Sequence, residues 1–234
     1  MLFVGHDHAR PTLFIQCGRG RGHQDDIVEL GAGEQKERDV REIAAKLGVA
    51  PLIERYDAFG GVLDYVFLEA VEEPSHEHLH REAALRAMAI IDDRLAQWAS
   101  SRATPDFPVE KFFRVHRDDS KLSGQRVGLP TFWGADDVEP KPLGGGTYTV
   151  DGYKAAFFHP PHGLQAKADE KAEVFTGINR YMLGDDPERA EIFSWSTDWS
   201  NYFEAGQEWW GAYYWTIRPA DRPYVVVVGA SSTE

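Results

Sequence analysis

The residues with the clearest chemical spacing are His76-Glu77-His78-Leu79-His80, an H-E-x-x-H pattern. On a helix, histidines four apart project from one face and can both ligate Zn²⁺. The glutamate between them can take a proton from a metal-bound water. In this reading His76 and His80 are the metal ligands and Glu77 is the catalytic base. Such a helix needs a start and an apolar stripe, and the sequence offers both. Ser75 suits an N-cap, and Leu79, Ala83, Ala84, Ala87, Ile91, Leu95 and Trp98 share one arc of a helix from about His76 to Ala99.

Over these five residues the chain resembles the zincin-type zinc metallohydrolases, which implies a zinc-dependent hydrolase. It departs from them in having Arg81 directly after the motif, which sits in the first helical turn. Glu110, His116, His159 and His162 are the candidates for a third ligand, without a spacing argument. The competing explanation is that His76 and His80 lie at the edge of the core, with Glu77 simply favouring the helix N-terminus.

Other polar groupings are less specific. His6-Asp7-His8 and His23-Gln24-Asp25-Asp26 flank a short apolar run and are conceivable cation ligands. The prolines of His159-Pro160-Pro161-His162 hold two rings apart at a strand end. Cys17 precedes Gly18-Arg19-Gly20-Arg21-Gly22, but His23 stands where a dinucleotide loop needs glycine and where a cysteine phosphatase loop needs arginine. No G-x-S-x-G elbow is present, and the paired aspartates are not set across a cleft. No cofactor is therefore expected, zinc being the alternative.

Large side chains concentrate from Phe193 to Ile217, which holds five of the seven tryptophans. A turn, Pro219-Ala220-Asp221-Arg222-Pro223, and the apolar run Tyr224–Val228 follow, predicting an aromatic C-terminal β-hairpin. Alternation puts Trp209, Gly211, Tyr213, Trp215 and Ile217 on one face and Trp210, Ala212, Tyr214 and Thr216 on the other. Either the strand is central and covered on both sides, which general burial tendencies favour, or one side is a binding surface. Trp199, Tyr202, Trp209, Trp210 and Tyr214 are the binding candidates.

The rest of the chain supplies the frame. Thr12–Cys17, Val49–Tyr56, Val62–Val71 and Lys111–His116 read as strands, the middle two as a hairpin. Thr147–His159 reads as a bent strand or strand pair turning at Asp151-Gly152. Glu34–Leu47 and Asp169–Leu183 read as helices, the latter with Ala172, Phe175, Ile178 and Met182 on one side. Between His116 and Thr147 the lack of periodicity predicts a surface excursion. The expected class is α+β, with a largely antiparallel sheet and three main helices. Ser100–Pro108 is the best linker, dividing 1–100 from 109–234 unless the whole is one domain.

A net charge of -13 disfavours nucleic acid and would attract a basic protein. One cysteine, no secretory pattern and no long apolar run predict a soluble cytoplasmic protein without membrane contact. The leading expectation is an acidic protein that binds another protein, for example to neutralise a basic partner. The alternatives are the zinc hydrolase and a small-ligand or carbohydrate site on the aromatic face.

Overall fold

The computed structural model describes residues 43–70, 75–134, 141–144, 147–149 and 151–231, without the side chains of 141–149, Glu208 and Trp209. The predicted strand Thr12–Cys17, the glycine-rich loop and the His6 and His23 groupings lie outside these residues. So does all of the Glu34–Leu47 helix except 43–47, which are helical. The elements used below are α1 (Ala50–Ala58), β1 (Leu63–Glu69), α2 (His76–Arg102), β2 (Gly124–Val127), α3 (Leu129–Trp133), β3 (Lys141–Gly144) and β4 (Thr147–Thr149). They continue with α4 (Gly152–Phe158), α5 (Ala168–Leu183), β5 (Glu191–Trp195), α6 (Glu204–Trp209), β6 (Tyr213–Arg218) and β7 (Tyr224–Ala230).

Five strands form an antiparallel sheet in the order β1-β7-β6-β5-β2, and β3 and β4 form a separate pair. The α+β class and the aromatic C-terminal hairpin are both present. The sheet joins strands from either side of residues 100–108, because β1 pairs along its length with β7. Antiparallel sheets often leave one face wet, but here both are covered. On one side Leu63, Tyr65, Phe67, Ile192, Trp215, Ile217, Val226 and Val228 meet buried residues of α1, α3, α4 and α5. On the other, Val66, Leu68, Phe193, Trp195, Tyr214, Val225 and Val227 meet α2 and the turn around Trp199–Phe203. This double cover is why β7 reads as an unbroken apolar run: every residue in it is buried.

α2 starts where the sequence predicts, with the Ser75 hydroxyl accepting from the His78 amide at 3.2 Å. It runs on through Arg102, so the first part of the expected linker is helical. α5 also matches. The Glu170 carboxylate accepts from the Lys167 amide at 3.0 Å at its start, and Gly184 follows its end at φ +75°. Glycine is needed at 184, since a Cβ there would run into the Asp221 carboxylate.

Four expectations are corrected. Val49–Tyr56 is not a strand and makes no hairpin with β1; it lies mostly in α1. Pro51 is accepted in its first turn, and Leu52 reaches the backbone of Gly177 in α5. Thr147–His159 is strand only in β4. After Gly152 (φ +75°) the chain turns helical, and Tyr153, Ala155, Ala156 and Phe157 are all buried in α4. Lys111–His116 is irregular after a 3-10 turn at Val109–Lys111. The predicted surface excursion contains β2 and α3, whose Phe132 is fully buried and stacks on Tyr153 with ring centres 4.9 Å apart.

Candidate functional site

The N-terminal turn of α2 lies over the end of the sheet where β5 begins and β6 ends. His76 is largely exposed, and its Nδ1 sits 2.6 and 2.8 Å from the two oxygens of Glu191 on β5. Arg126 of β2 and Arg218 of β6 approach the same carboxylate at 3.8 and 3.9 Å. The register explains the convergence: Glu191 pairs with Arg218 and Phe193 with Arg126, so these side chains rise on the α2 face of the sheet. The Glu191 carboxylate orients the His76 ring and favours its proton on Nδ1. That turns Nε2 away from the pair, the arrangement by which a carboxylate positions a histidine base.

His80 is placed differently. It is fully buried, with its ring 4.6 Å from that of Phe193. Its Nδ1 shares a hydrogen bond of 2.7 Å with Thr216 Oγ1, which also accepts from the indole Nε1–H of Trp195 at 2.9 Å. Nε2 of His80 is buried without a partner. Burial lowers the imidazole from its ordinary value of 6.5 to about 4; Glu191 opposes that change, and Arg218, His76 and Arg126 add to it. His80 is therefore neutral near pH 7 and closed over by the core. Glu77 is exposed. Among the described residues, no three His, Cys, Asp or Glu side chains stand close enough to hold a metal ion. The H-E-x-x-H spacing thus brings together one surface histidine held by Glu191 and one core histidine held by Thr216.

The aromatic candidates are mostly internal. Trp199, Tyr202, Trp210 and Tyr214 are buried, and the side chain of Trp209 lies outside the described ones. Strand β6 begins only at Tyr213, so of these candidates it contains Tyr214 alone. Trp210 is in the turn before it, where its indole donates to the His159 carbonyl at 2.8 Å. The Tyr214 hydroxyl donates to the Ala84 carbonyl of α2 at 2.6 Å, and the Tyr202 hydroxyl to Asp64 at 2.6 Å. Tyrosine and tryptophan enter a core when their polar atoms find partners there, and these three do. Their faces are spent on packing, so they offer no surface to a ligand.

The exposed aromatic surface lies elsewhere, beyond the C-terminal end of α2. Among the described residues the exposed large hydrophobic side chains are Phe107 (47%) and Phe113 (44%). A tight turn holds the first of them: Phe107 and Thr104 exchange backbone hydrogen bonds of 3.1 and 3.0 Å, and Thr104 Oγ1 accepts from the Phe107 amide at 3.1 Å. Phe112 packs edge-on to both Phe107 and Trp98, at 4.8 and 5.6 Å between ring centres. The Lys111 ammonium lies 5.7 Å over the Phe107 ring and donates to the Asp106 carbonyl. The following stretch is fastened to α2 by Asp92, which accepts from the Arg114 guanidinium at 3.0 Å and from the Val115 amide at 3.1 Å. The visible sequence signal was Phe107-Pro108 followed by Lys111-Phe112-Phe113, two aromatic groups in a stretch without periodicity.

Compared with protein-family models, with curated proteins and with solved structures, the chain finds no match in any of the three. No helix among the described residues is long and apolar enough to cross a membrane.

Proposed function

We propose that this chain binds another protein and that residues 104–113 make the contact. Phe107 is the observation that carries the reading. An apolar ring nearly half exposed is fixed by a hydrogen-bonded turn and backed by Phe112 and Trp98, so little freedom remains to be lost on docking. Phe113 adds a second exposed ring six residues on. Exposed aromatic groups with a polar surround have the composition of an interface centre, and Asp106, Glu110 and Lys111 supply that surround here. The net charge of -13 favours encounter with a basic partner whose surface offers an apolar recess.

Affinity capture by the immobilised chain, at low and at physiological salt, tests the proposal. A specific partner is expected to weaken by at least about tenfold with the Phe107→Ala/Phe113→Ala double variant. The variant should retain the wild-type circular dichroism, and capture should decline as salt rises. A partner held equally well by the double variant would overturn the assignment of the contact to this segment.

A further inference from the structure

A cavity of about 360 Å³ opens on the opposite side of the sheet from α2, where residues 46–47, the last turn of α5 and the β6–β7 turn meet. Among the described residues its lining is Lys46, Leu47, Arg180, Tyr181, Arg222 and Tyr224: three cations, two phenol rings and no carboxylate. The volume lies at the small end of the roughly 300–1,000 Å³ typical of ligand pockets. In a chain of net charge -13, three cationic side chains around one cavity run against the overall field.

The three cations are presented in different ways. Arg222 is fixed by two carboxylates outside the lining: Nη2 donates to Asp185 at 3.2 Å and Nε to Asp221 at 3.4 Å. Those bonds use one edge of the guanidinium and hold its plane, leaving Nη1 available. Arg180 is exposed in the last turn of α5 and makes no ion pair with any described residue. Lys46, exposed on a helical stretch, is part of the same lining. A helix C-terminus ordinarily repels anions through its free carbonyls. Here the Tyr224 hydroxyl donates to the Tyr181 carbonyl at 2.8 Å, occupying one of them. With its hydroxyl used in this way, Tyr224 gives the cavity an aromatic wall.

We infer that this cavity binds a small phosphate-bearing anion, with Arg180, Lys46 and Arg222 holding the phosphate oxygens. Guanidinium groups suit phosphate because paired N–H donors match its oxygens, and such charge-assisted bonds are among the stronger ones available. The site is separate from the Phe107 segment, so either can fail without the other.

Isothermal titration of the full chain with inorganic pyrophosphate, at constant ionic strength, tests the inference. Saturable one-to-one binding is expected. It should weaken at least about tenfold in Arg180→Gln and also fall in Lys46→Gln, while Phe107→Ala/Phe113→Ala leaves it unchanged. Arg180 and Lys46 are exposed, so both variants should fold, and an unaltered melting temperature in the absence of pyrophosphate checks that. Absence of saturable binding, or equal binding by wild type and both variants, would overturn the assignment.

Discussion

The tail from Phe193 to Ile217 and the short segment from Thr104 to Phe113 use aromatic residues to opposite ends. In the tail the rings are dense and enclosed. Trp215 and Ile217 fill one face of the sheet and Tyr214 the other, its hydroxyl tied to the Ala84 carbonyl inside the core. In the segment the rings are few, and two of them remain half wet. A sheet covered on both faces needs large side chains in its central strands, so aromatic density marks where two layers must be filled. The recognition proposed above falls to a place where a turn holds an apolar ring outward. Counting tryptophans finds the first region and misses the second.

That contrast can be broken in several places. The largest effect is expected from Trp210→Ala, which removes a fully buried ring and leaves the His159 carbonyl without its donor. Guanidinium unfolding should show a loss of about 3–5 kcal/mol. A loss under about 1 kcal/mol would mean that this ring is not a core element.

Next comes acid. His80 has a folded value of about 4 against an ordinary 6.5, so the unfolded chain takes up the proton first. Its contribution is complete above pH 6.5 and drains away as the pH falls toward 4, amounting to about 3 kcal/mol by that point. The difference in stability between wild type and His80→Gln, followed by urea unfolding across this window, should narrow by that amount on acidification. His159, lowered chiefly by its own burial, is retained in both proteins and cancels from the comparison. A difference independent of pH would place the His80 ring in contact with water.

Ser75→Ala is expected to cost about 1 kcal/mol by removing the cap of the helix that links the two regions. The smallest change in stability should come from Phe107→Ala and Phe113→Ala, each within about 0.5 kcal/mol, because half-exposed rings bury little on folding. A larger loss from either would move that ring from the proposed contact surface into the structural frame and erase the contrast.

Local signals made part of this legible. Ser75 announced the start of α2, Gly184 the end of α5, and the apolar run after Pro223 announced β7. What stayed hidden was set by distant partners. Val49, Ile53 and Tyr56 favour strand in isolation, yet packing against α5 makes that stretch helical. Tyr153 to Phe157 alternate in neither a strand nor a surface-helix pattern, because α4 is enclosed by α3, α5 and the sheet. In the candidate site, His76 and His80 were visible as a pair, but no local spacing connects His76 with Glu191 or His80 with Thr216. Those two partners, both on the sheet face beneath α2, decide that one histidine faces water and the other the core.

The pairing of β1 with β7 also fixes an order of events during synthesis. Val66, Phe67 and Leu68 emerge from the ribosome early and find their hydrogen-bonding neighbours only after Val225, Val226 and Val227 have been translated. Until then an apolar edge waits without a mate, the kind of exposure that chaperones recognise. Closure of the central sheet is therefore a late step, and nascent chains halted before Tyr224 should be prone to aggregate.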